Sequence, residues 1–343
     1  MDKNKQNVHS KTELASENQN SYFKTDLTSE SQNLYFRTDL ASERRDLYKK
    51  ANKIENEIQG IESEKEEIDK NVSVERVKIT NEDGEKAIGK PIGNYITIDI
   101  KNLKIAQDED IDRYSNILAK ELTKIIDLHI DKQGSILVVG LGNEYVTPDS
   151  LGPKVINEID VTRHLIKYLP QYVEEGTRMV SAIAPGVLGT TGIETVEILN
   201  GVVQNIHPQL LIVIDALSSR SIERISSSVQ ISDTGIIPGA GVGNKRSEIS
   251  ENTLGVPVIA MGIPTVVETA VLVNDSLNLF IEKLQQEAKS NDYLNQLKEQ
   301  DNYEDIKEAL LPENYNLIVT PKEIDDLVEN MKAVVARGIN LSV

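Results

Sequence analysis

Two aspartates stand where a parallel sheet would present its chemistry. The apolar run Ile136-Leu-Val-Val-Gly-Leu141 leads through Gly142 and Asn143 to Thr147-Pro148-Asp149, and Leu210-Leu-Ile-Val-Ile214 runs straight into Asp215. In open α/β sheets, sites form beyond the carboxyl ends of the strands. A carboxyl at the end of a buried strand loses hydration, so the pKa of Asp215 should rise. Thr-Pro-Asp has the order of an N-cap, a first-turn proline and a first-turn acid, so the field of a helix start should lower the pKa of Asp149. Two carboxyl groups with different proton affinities suit hydrolysis, in which one activates water and the other protonates or polarises the amide. The blander readings are a helix-start acid at 149 and a loop cap at 215.

Other chemistries have less support. The four histidines, His9, His129, His164 and His207, show no H-E-x-x-H or other ligand spacing, so no metal site is expected. Gly140-Leu-Gly142 follows a strand but lacks the third glycine of a dinucleotide fingerprint, and Gly239-Ala-Gly241-Val-Gly243 lacks a P-loop lysine. No cofactor is therefore expected. There is no G-x-S-x-G elbow, and with no Cys there is neither a disulfide framework nor a zinc-thiolate site.

The elements that must position the aspartates follow from periodicity. The spacing predicts strands at 72–79, 95–100, 136–141, 179–183, 210–214 and 256–262, and helices at 40–69, 109–130, from 148 to about 159, 191–205, 265–284, 293–311 and 321–337. Asn81-Glu-Asp-Gly84 reads as a turn and GIIPGAGVG (235–243) as a loop. From Ser135 onward, strands alternate with helices, which implies a three-layer α/β/α sandwich with a mostly parallel sheet, plus a smaller β-containing N-terminal part. The net charge of -18 repels nucleic acid and anionic membrane, so neither is an expected partner. No apolar run reaches transmembrane length and the N-terminus has no signal-peptide core, so a soluble cytoplasmic protein is expected.

The N-terminus repeats itself three times at a spacing of 13 residues: TELASENQNSYFK (12–24), TDLTSESQNLYFR (25–37) and TDLASERRDLYKK (38–50). The polar composition up to about residue 35 cannot bury enough apolar surface to order alone. Such an array serves either as a spacer or as a row of recognition sequences.

Five segments carry a resemblance: VVGLGNEYVTPDSLGP (138–153), SAIAPGVLGTTGIET (181–195), IDALSSRS (214–221), GIIPGAGVGNKR (235–246) and VIAMGIPTVVE (258–268). Together with YFRTDLASE (35–43), they resemble the germination protease, or spore protease, family, in order over roughly residues 35–340. The resemblance implies an endopeptidase that degrades small acid-soluble spore proteins during germination. It further implies a zymogen activated by autoprocessing, a homotetramer, aspartic-type chemistry and a fold similar to hydrogenase-maturation peptidases. The family's two proposed catalytic aspartates fall on Asp149 and Asp215.

Family substrates are cut after the first acid of a Thr/Ser-Glu-apolar-Ala-Ser-Glu motif, and the processing site carries Asp in its place. Thr12–Glu17 matches the substrate form, whereas Thr25–Glu30 and Thr38–Glu43 match the processing form. The third copy aligns with the processing position, which gives Asp39-Leu40 as the expected bond, a propeptide at 1–39 and a peptidase domain at 40–343. Cleavage after an acid calls for a cation. Asn143 and Arg220 are candidates for oxyanion or substrate-carboxylate contacts, and a surface ion pair is the other use of Arg220. Two alternatives remain at this point: a metal-dependent peptidase of the hydrogenase-maturation type, and a non-enzymatic scaffold whose repeats bind a partner.

Overall fold

Period-2 alternation organises the centre of the molecule. In the computed structural model, which describes residues 38–239, 246–287, 306, 308, 309 and 317–343, nine strands form one sheet. They are β1 (Ile61–Glu67), β2 (Val72–Ile79), β3 (Gly93–Ile100), β4 (Ile136–Gly140), β5 (Val180–Ile183), β6 (Leu210–Ser219), β7 (Ser228–Ser232), β8 (Val258–Glu268) and β9 (Ile318–Val319). The order is β1-β2-β3-β7-β8-β6-β4-β5, with β9 on β8. The main helices are α1 (Ala41–Ala51), α2 (Glu82–Ile88), α3 (Asp108–His129), α4 (Leu151–Ile156), α5 (Thr195–Ile206), α6 (Thr269–Glu287) and α7 (Ile324–Ser342).

Alternate residues of each central strand feed opposite layers. Ile136 and Val138 of β4, with Leu210, Ile212 and Ile214 of β6, join the core formed with α3, α4 and α7. Leu137, Val139, Leu211 and Val213 point the other way, into a second core with Leu199 and Val203 of α5. This is the expected α/β/α sandwich. The sheet itself is mixed: β5, β4, β6 and β8 run parallel, while β1, β2, β3, β7 and β9 pair antiparallel. The predicted N-terminal β part is therefore a wing of the same sheet, closed on one face by Ala41 of α1 and by Ala87 and Ile88 of α2.

Three local differences have physical causes. The predicted helix at 40–69 stops at Ala51, and Ile61–Glu67 becomes an edge strand whose one buried side chain is Ile61. A charged edge suits a strand that must not pair further. Asn81 opens α2 rather than a turn, its side chain accepting from the Asp83 and Gly84 N–H groups at 3.0 and 3.2 Å. Strand β8 continues through Pro264 to Glu268, past the predicted strand end at 262, and the helix predicted from 265 starts at Thr269. The register against β6 shifts at Pro264, between Leu217 and Ser218, and a bulge accommodates a residue that cannot donate to the ladder.

No described helix is long and apolar enough to cross a membrane. The two upstream repeats and most of the predicted helix at 293–311 lie outside the described residues.

Candidate active site

The loop after β4 is held tightly because three glycines leave no room between backbones. A Cβ on Gly140 would lie 2.2 Å from the Gly152 carbonyl oxygen, one on Gly152 would lie 2.2 Å from that of Leu141, and one on Gly142, at φ +114°, would lie 2.0 Å from that of Asp149. The glycines thus serve strand-to-helix packing. They also fold the loop so that Asp149 Oδ2 accepts the Asn143 N–H at 2.8 Å.

Asp149 ends a single 3-10 turn, Thr147–Asp149, ahead of α4. Burial is the largest influence on its carboxyl and raises the pKa, against the Asn143 hydrogen bond and the charge of Arg246. The lowering expected from a helix start does not occur, because the side chain is turned back over its own loop and α4 begins only at Leu151. Asn143 acts here through its backbone, and its side-chain oxygen accepts the Tyr145 N–H at 3.1 Å.

Asp215 lies within β6 and is 5 % exposed. Its Oδ1 accepts the Ala216 N–H at 3.0 Å, and its Oδ2 is buried without a hydrogen-bond partner among the described residues. Burial first, then repulsion from Asp149 and Asp39, holds its carboxyl well above the ordinary range. This matches the direction read from the sequence. Asp149 and Asp215 line one cavity of about 260 Å³, together with Asp39, Thr195 and Arg246.

Asp39 belongs to a segment seated across the sheet. Thr38, Asp39, Leu40, Ala41, Ser42 and Glu43 are all buried, Leu40, Ala41 and Ser42 to 0 % exposure. Beneath them runs one row of laterally paired residues, Glu75, Thr97, Gln230, Gly262 and Asp215, on β2, β3, β7, β8 and β6. The Asp39 N–H donates to the Ser218 carbonyl at 3.2 Å, and the Asp39 carboxylate accepts the Ser218 N–H at 3.1 Å. The Gln230 amide donates to the Asp39 carbonyl at 3.2 Å and accepts the Ala41 N–H at 2.6 Å. Arg224 reaches Ser42 Oγ at 3.2 Å and the Glu43 carboxylate at 3.4 Å. Within the segment, the Thr38 hydroxyl donates to Glu43 and accepts the Leu40 N–H. Full burial of Leu40 contributes roughly 1.5–3 kcal/mol.

Arg220 ion-pairs with Asp275 through its guanidinium and donates its backbone N–H to Glu43 at 3.1 Å. Different cations stand near Asp39. Arg44 and Lys90 line a second cavity of about 170 Å³ that also contains Asp39. Desolvation, then the neighbouring Arg44, pushes the Lys90 ammonium down to about 8, against the pull of Asp39. Sequence reasoning missed Gln230, Arg224, Arg44, Lys90 and Arg246. Only the need for a cation near the cleaved acid hinted at any of them. Among the described residues, no group of three or more His, Asp or Glu side chains is arranged to hold a metal ion.

A sequence profile described as germination protease matches residues 38–297 and 293–343. The germination protease of Clostridium acetobutylicum is 47% identical over 297 residues, which cover 85% of this chain and 90% of that protein. The chain belongs to the germination protease family. The germination protease of Caldanaerobacter subterraneus is 48% identical, covering 84% of this chain and 89% of its own. A solved [NiFe] hydrogenase maturation protease from Thermococcus kodakarensis, 18% identical, aligns over 41% of this chain and 80% of its own, with a TM-score of 0.28. That likeness adds nothing to the sheet topology described above. The profile match begins at Thr38, the first residue of the third repeat. Membership makes the chain a peptidase of this family.

Proposed function

We propose that this chain is a self-processing, aspartic-type endopeptidase that cuts after the acid of T-[ED]-L-x-S-E sequences, with Asp149 and Asp215 as its acid/base pair. Small acid-soluble spore proteins are its substrates at germination. The observation that carries this reading is the seating of Thr38–Glu43: the chain's own copy of the motif lies buried on the sheet, with Asp39 lining the cavity that holds both aspartates.

In the proposed reaction, Asp149 takes a proton from water as the water attacks the Asp39 carbonyl carbon. Asp215, kept neutral by burial, donates a proton to the departing Leu40 nitrogen. The C–N bond breaks, leaving a carboxyl on Asp39 and an amine on Leu40. The two carboxyls share one cavity and titrate as a coupled pair. Until that bond is cut, the tethered motif competes with free substrate at an effective concentration on the order of millimolar, which makes the uncut chain a zymogen.

Incubation of the purified chain with a TELASE peptide, followed by mass spectrometry of both, tests the reading. Cleavage of the peptide between Glu and Leu, together with a new chain N-terminus at Leu40, is expected. A first cut at any other bond overturns the choice of the third repeat. A homotetramer in the cytoplasm of the developing spore completes the proposal, and sedimentation of the intact chain checks the tetramer.

A further inference from the structure

We infer that Gln230 is a catalytic residue of this peptidase, one that polarises the carbonyl of the bond to be cut while fixing the direction of the peptide. The inference rests on the reading of Asp39-Leu40 as the scissile bond.

Gln230 touches both sides of that bond. Its Nε2 donates to the Asp39 carbonyl oxygen at 3.2 Å and its Oε1 accepts the N–H of Ala41, one residue beyond the bond, at 2.6 Å. A side-chain amide has one donor and one acceptor end, so it fits this pair in a single orientation. The two ends therefore accept a peptide running in one direction across the row. Gln230 is 6 % exposed, so its hydrogen bonds act away from bulk water, where they are stronger.

Placement relative to the acids follows from the sheet. Gln230 pairs with Gly262, and Gly262 pairs with Asp215, so amide and acid project from one face of a single row. Two strand spacings put their backbones about 10 Å apart. The carbonyl oxygen held by Gln230 gains negative charge when water attacks, so this hydrogen bond strengthens toward the transition state. A free TELASE strand presents the same carbonyl and the same N–H one residue beyond its bond, and takes the same two contacts.

A purely structural Gln230 would only satisfy the Ala41 N–H at the start of α1. The experiment therefore measures kcat and KM of the full chain on added TELASE peptide, beside self-processing. Circular dichroism and thermal unfolding confirm that each variant folds. Gln230→Ala is expected to lower kcat about 100-fold. Gln230→Glu keeps the size and the acceptor but, once ionised, has no proton for the carbonyl. Its rate relative to the parent chain should climb as pH falls and the carboxyl protonates. An unchanged kcat in Gln230→Ala, or a flat ratio across pH in Gln230→Glu, overturns the role of Gln230. Asp215→Asn run in parallel separates the two ideas, because full activity there overturns the acid/base reading itself.

Discussion

The parallel and antiparallel halves of the sheet do different work. On the parallel side, Asp149 follows β4 and Asp215 lies in β6 one residue past its last pair with β4, and burial raises both carboxyls. On the antiparallel side, Thr97 and Gln230 lie mid-strand in β3 and β7, and with Arg224 just before β7 they make a floor that binds a peptide by its backbone and polar side chains. Where β4 stops short beside β6, two carboxyls gather in one buried cavity. Strand middles offer a regular row of side chains that can follow an extended ligand. On the proposed reading, proton transfer belongs to the parallel strands, while the antiparallel strands hold the peptide and, through Gln230, polarise its carbonyl, with β8 joining the two.

That division predicts a graded set of outcomes. The largest effect should come from the parallel half. Asp149→Asn and Asp215→Asn should each lower kcat on TELASE peptide by on the order of 10³-fold or more without unfolding the chain. Normal turnover in either variant removes that residue from the chemistry and breaks the comparison. A smaller effect of a different kind is expected from the floor. Arg224→Met deletes the contacts to Ser42 and Glu43 and should raise KM roughly tenfold while leaving kcat near that of the parent. A fall in kcat with KM unchanged would place Arg224 in the chemistry rather than in the floor.

The smallest effect is on stability. Burial raises the folded pKa of Asp215, so its contribution is fully present below the unfolded value and is lost as pH rises through the folded one. Asp215→Asn carries no such titration. Urea midpoints measured from the ordinary aspartate range upward should show the variant gaining on the parent chain. A constant difference across that range would mean that Asp215 is not held neutral.

The sequence exposes these two halves unequally. Asp215 stands out because five apolar residues precede it, and Asp149 because glycines and Thr-Pro frame it. The third repeat is visible as a motif, but its seat is not. Gln230 lies in Ser228–Ser232, a short strand without an apolar run, and meets Ala41 across 189 residues of chain. The cations near Asp39 are equally hidden. Arg44 is part of the repeat itself, and Lys90 follows α2, so neither reads as a site residue. The parallel strands are recoverable because continuous hydrophobic runs mark burial on both faces. The edge strand β1 is not, because its charges imitate a solvated helix.

Asp39, Leu217 and Ile237 line both the 260 Å³ and the 170 Å³ cavities. Asp39 is thus a partition between two chambers, one holding the two aspartates and the other Arg44 and Lys90. On the proposed reading, cutting the chain beside it and letting that residue leave would thin the wall to Leu217 and Ile237, with the two aspartates on one side and Arg44 and Lys90 on the other. If Asp39-Leu40 is the first bond cut, the cut would open part of the wall of the working site itself.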